Sequence, residues 1–147
     1  MMMHKLRSIA AMAAFWLLSA SKPVLPLLYG EYSSDCAPYD GPAFVITLPA
    51  PVQRGTFWWL RANVPLAEMA GHWTHSSTGQ PGAASIALCQ KTPTHKCDMP
   101  EEGSFTVTGH PGANIKGTIA ATFTDGIRHV YRFTAAPARH TEGRLCG

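Results

Sequence analysis

Beyond residue 21, proline or glycine interrupts this chain about every ten residues. No stretch between the interruptions keeps an apolar period of 3.6 residues over three turns, so a long amphipathic helix has nowhere to form. Thr, Val, Ile and aromatic residues fill the gaps, and these favour a pleated surface. Seven strands are predicted, over 43–48, 55–64, 67–74, 83–89, 104–109, 115–123 and 127–134. Their number and spacing point to an all-β fold: a small antiparallel β-sandwich or an open barrel. Residues 22–42 contain Pro23, Pro26, Pro38 and Pro42 and read as an irregular lead-in, with a single β domain over 43–147.

Side chains alternate across a strand, so each run assigns its own faces. In 55–64, Trp58, Leu60, Ala62 and Val64 share an apolar face and belong in the core. Phe57, Trp59, Arg61 and Asn63 share the other face, where Phe57 and Trp59 form either an aromatic platform or a patch covered by the lead-in. The last two strands fix their own register. A two-residue Asp125-Gly126 loop would set Phe123 against Arg128 and mix the faces. A three-residue loop, Thr124-Asp125-Gly126, sets Phe123 against Ile127, Ala121 against His129 and Ile119 against Tyr131, and both apolar faces agree. That is a type I turn with a G1 bulge, Gly126 supplying the left-handed residue. Phe105 and Val107 match the same face, which makes 104–134 a three-stranded meander. Thr118, Thr122, Arg128, Arg132 and Thr134 fall on its solvated side. From Lys116-Gly117-Thr118-Ile119 to Thr124-Asp125-Gly126 this meander resembles one found in small exported bacterial β-proteins, a resemblance that carries no catalytic motif.

Residues 1–21 have the form of a secretory signal. Lys5 and Arg7 precede the apolar run Ile9–Ala20, and Ser19-Ala20-Ser21 offers small residues for cleavage. The alternative is a retained membrane anchor, but Lys22, Pro23 and Pro26 break any longer apolar span. Lys5 and Arg7 are two of the twelve basic residues that stand against nine acidic ones, so the chain beyond the signal is within one charge of neutrality. With no Lys/Arg cluster either, nucleic acid is not an expected partner. The membrane is one only if the segment is uncleaved.

Export places Cys36, Cys89, Cys97 and Cys146 in an oxidising compartment, secreted or periplasmic. Cys89 and Cys97 enclose one short loop. Cys36 lies near the start of the domain and Cys146 at its end, and domain termini often lie close together. The favoured pairing is therefore Cys89–Cys97 with Cys36–Cys146. The cysteine–tryptophan–cysteine pattern of an immunoglobulin domain is absent: Trp58 lies too far beyond Cys36, and Ala87 rather than tyrosine stands two before Cys89.

Chemistry-bearing residues are sparse. Cys89, His95 and Cys97 fit no common zinc spacing, and a disulfide competes for both thiols. His72 and His75 are weak candidates as metal ligands, since three residues apart on a strand puts them on opposite sides unless a turn intervenes. Asp98, Glu101 and Glu102 read as a solvated turn, and His129 as a half-buried core residue. No G-x-S-x-G, H-E-x-x-H or glycine-rich phosphate loop occurs. The sequence therefore predicts no catalytic residue and no cofactor. Its first expectation is a non-catalytic binding or interaction module of the cell envelope or extracellular space, using Phe57, Trp59 and Arg61 with the loop 75–82 beside them. The alternatives are a small secreted enzyme or metal-binding protein with a loop site near Glu68, His72 and His75, and a membrane-anchored structural component of the envelope.

Overall fold

A computed structural model describes residues 22–51, 53–91, 96–139 and Cys146. The expectations for the signal and for His95 fall outside these residues. The described chain is all-β, with nine strands in one hydrogen-bonded sheet and a single 3-10 turn at Leu66–Glu68. The strands are β1 (Leu27–Cys36), β2 (Pro42–Pro49), β3 (Thr56–Ala62), β4 (Gly71–Thr74) and β5 (Ala84–Gln90), then β6 (Cys97–Asp98), β7 (Glu102–Thr108), β8 (Ile115–Thr122) and β9 (Arg128–Pro137). Their order across the sheet is β4-β7-β8-β9-β1-β2-β3-β5-β6. All neighbours are antiparallel except β1 and β9.

The sheet curls until its two ends touch. Just past β4, His75 forms a parallel bridge to Ala84 of β5, and the Ser76 N–H donates to the Ala84 carbonyl at 2.8 Å. Of the two architectures the sequence admits, this is the open barrel. A sandwich needs two sheets facing each other across a core, whereas here one continuous ladder wraps its apolar face inward.

Alternation decides what lies inside. β3 reads buried and half-buried in strict turn, with Trp58, Leu60 and Ala62 wholly inaccessible. Phe44, Ile46 and Leu48 of β2, Phe105 and Val107 of β7, Ile119 of β8 and Phe133 of β9 join them in one cluster. Each such side chain contributes roughly 1.5–3 kcal/mol when removed from water. The predicted hairpin is present: Ile119 pairs with Tyr131 and Ala121 with His129, and Gly126 turns the chain at φ 77°. The β7–β8–β9 meander is present as well.

Three expectations are corrected. The lead-in over 22–42 is not irregular throughout. Its residues 27–36 form β1, a central strand with Leu28 and Tyr32 buried inward. The prolines that suggested irregularity stand outside β1, and the parallel partner β9 lies a hundred residues away. The stretch 67–74 is strand only in its second half, because Pro65 and Gly71 bound a turn that buries Met69. Finally, the two-residue β6 exists through its pairing with Leu88 and Cys89.

The cysteines are joined as Cys36–Cys146 and Cys89–Cys97, the favoured pairing. The second bond links two residues directly opposite each other on β5 and β6.

Candidate outer-face groove

The outward residues of β1, β2, β3 and β5 can be read in rows from their pairing. Glu31, Thr47, Trp59 and Ala87 make one row. In the next, Pro49 stands beside Phe57 and Phe57 beside Cys89. Tyr29, just before Glu31 on the same side of β1, flanks Pro49 from the other direction. The β1 side of these rows holds a surface groove of about 590 Å³ whose lining includes Tyr29, Glu31, Thr47, Pro49, Phe57 and Lys91. Tyr29 is 67% exposed, the largest opening of any aromatic side chain among the described residues. Phe57 is half-buried. β1 and β3 sit on either side of β2, so Tyr29 and Phe57 stand two strand spacings apart, about 9.5 Å.

Phe57, Trp59 and Arg61 do share the outer face, and the lead-in does not lie over them: its strand β1 is a neighbour within the same sheet. The three have different roles, however. The Arg61 guanidinium lies 4.7 Å from the centroid of the Trp59 ring and covers that face. Arg61 Nη2 also donates to Asp35 Oδ2 at 2.7 Å and to the Cys36 carbonyl at 2.8 Å. The ion pair is partly buried, with Arg61 and Asp35 side chains 18% and 26% exposed. Arg61 thus braces β3 against the end of β1, next to the Cys36–Cys146 bond. The loop 75–82 meets β3 at that braced end, where Asn63 Nδ2 donates to the Gln80 carbonyl at 3.0 Å. It is not beside Phe57. Of the three predicted residues, only Phe57 lines the groove.

Tyr29, Glu31 and Lys91 were not singled out in the sequence. The usable signal was the alternation of Leu28, Gly30 and Tyr32 against Tyr29, Glu31 and Ser33, weakened by a glycine at the centre of the inward set.

His72 and His75 line a second, polar groove of about 420 Å³ with Thr74, Glu102, Ser104 and Arg128. Glu68 lies in the 3-10 turn and does not line it. His75 Nδ1 accepts the Ile86 N–H at 3.0 Å, so this histidine extends the bridge between the two ends of the sheet. Burial lowers its pKa from the usual 6.5, which favours the neutral ring that this bond requires. Among the described residues no group of three or more His, Cys, Asp or Glu could hold a metal ion. Among those same residues no hydroxyl is hydrogen-bonded to a histidine. His129 packs its ring against Trp58, Phe123 and Tyr131 at centroid distances of 5.7, 5.6 and 6.5 Å and closes one end of the core.

Comparison with known proteins found no matching family model, no matching curated protein and no matching solved structure.

Proposed function

We propose that this protein is a non-catalytic binding module that works outside the reducing cytoplasm, in the cell envelope or the extracellular space, and engages its ligand at the outer-face groove. The observation that carries the reading is Tyr29, a large aromatic side chain standing open opposite Phe57. An exposed ring beside an apolar concavity is costly to maintain in water and useful where a ligand covers it. The two disulfides are compatible with an oxidising compartment. Beyond residue 21 the chain is within one charge of neutrality, which leaves recognition to shape and local chemistry rather than to long-range steering. The polar groove at His72 and His75 favours no second reading, because His75 is committed to the sheet closure.

Co-sedimentation with insoluble polysaccharide, with lipid vesicles and with peptide-coated resin tests this. Wild-type protein should be retained on one of these supports, and Tyr29→Ala should lower retention several-fold at an unchanged unfolding temperature. No retention on any support, or retention indifferent to Tyr29→Ala, rejects the reading.

A further inference from the structure

The strands beneath the groove have no free edge. β1 is paired on both sides by β9 and β2, β2 by β1 and β3, and β3 by β2 and β5. A peptide therefore cannot add to the sheet here through main-chain bonds, and recognition must come from side chains. Those side chains combine two chemistries. Tyr29, Pro49 and Phe57 offer flat apolar surface, while Glu31, Lys91 and the Thr47 hydroxyl supply acceptors and donors around it. No ion pair joins Glu31 or Lys91 to another described residue. The opposed charges cancel, so the groove favours neither a polyanion nor a polycation. An acyl chain would cover Glu31 and Lys91 without bonding them, at a cost in desolvation.

A ligand that is apolar on its faces and hydroxylated at its edges satisfies both chemistries. A pyranose ring is such a ligand: its C–H face stacks on an aromatic ring and its hydroxyls bond to flanking polar groups. The Tyr29–Phe57 separation of about 9.5 Å is comparable with the length of two pyranose rings in an extended chain. We infer that the groove binds a neutral, extended oligosaccharide, with Tyr29 and Phe57 stacking on sugar faces and Glu31 and Lys91 holding hydroxyls. This rests on the reading of the protein as a binding module at the groove.

The test is titration of the purified protein with cellohexaose and with the hexamer of N-acetylglucosamine, followed by calorimetry and by tryptophan emission, Trp59 standing in the row of Glu31 and Thr47. Saturable binding to at least one is expected. Tyr29→Ala should weaken it roughly tenfold, while Tyr29→Phe, which keeps the ring, should stay within about twofold. Ile127→Ala, at an exposed apolar residue in the turn just before β9, should change nothing. No response to either hexamer, or a response that Tyr29→Ala leaves intact, overturns the inference. If the hexamers fail while vesicles or peptide resin retain the wild type and not Tyr29→Ala, the sugar is wrong and the binding module stands. If every probe fails, both fall.

Discussion

Arg61 and Tyr29 share one surface, but Arg61 is bonded to its neighbours there and Tyr29 stands open. Arg61 gives its Nη2 to Asp35 and Cys36 and its guanidinium face to Trp59, so it braces β3 against the end of β1. Asp35→Ala should cost about 1 kcal/mol in denaturant unfolding, the upper range for an exposed pair, because this one is partly buried. Tyr29→Ala should leave stability within about 0.5 kcal/mol, as expected for an open surface residue. Gly117 shows the opposite sensitivity. It faces inward on β8 opposite Phe133, and a Cβ there would collide with that ring and with the Thr106 carbonyl. Gly117→Ala should therefore destabilise by about 2 kcal/mol or more, from overpacking against a backbone atom that cannot move aside. A Gly117→Ala protein with wild-type unfolding would contradict the inward placement. The sequence carried no sign of the Arg61 brace, because Asp35 and Arg61 meet across the intervening strand β2 and their own strands are silent about it.

At the scale of elements, legibility followed locality. The β8–β9 hairpin could be derived to the residue because its loop is three residues long and both strands alternate cleanly. β1 was not: its short antiparallel link to β2 runs between Pro38 and Pro42, Gly30 interrupts its inward set, and its other partner, β9, lies at the far end of the chain. Parallel partners need a long connection and leave no turn signal beside them. The groove inherits that blindness, since one of its walls belongs to β1. The closure at His75 is equally non-local, and it titrates. Burial holds the His75 pKa below 6.5, so the folded state binds this proton less readily than the unfolded chain does. The stability from the Ile86 N–H bond is complete above the unfolded value of 6.5 and is lost as pH falls through the lowered folded value. Thermal unfolding followed from about pH 8 down to about pH 5 should show a loss that is smaller in His75→Gln, whose side-chain carbonyl can accept the same N–H at every pH. Identical pH profiles for the two proteins would remove His75 from the closure.

The described residues form one curled sheet with its apolar side turned inward, and two covalent bonds fasten it, one from the end of central β1 to Cys146 and one between neighbours β5 and β6. Cys36–Cys146 spans a sequence separation of 110 and Cys89–Cys97 one of 8. Chain entropy assigns them about 4.8 and about 2.6 kcal/mol. Replacing the first pair by serines should therefore lower stability by about 2 kcal/mol more than replacing the second. Equal losses would mean that the long clasp does not constrain the unfolded chain. This pairing was readable in the sequence because domain ends tend to meet, whereas the choice of barrel over sandwich depended on how far a single sheet can curl. Trp58, Phe44 and Phe133 fill the interior, so the proposed binding falls to the outer face, where Tyr29 and Phe57 stand. Hydroxyl-radical footprinting of the folded protein tests that division directly. Tyr29 should be oxidised fastest of the aromatic residues from 22 to 139, and Trp58, Phe44 and Phe133 should be protected. Protection of Tyr29 equal to that of Trp58 would contradict the account.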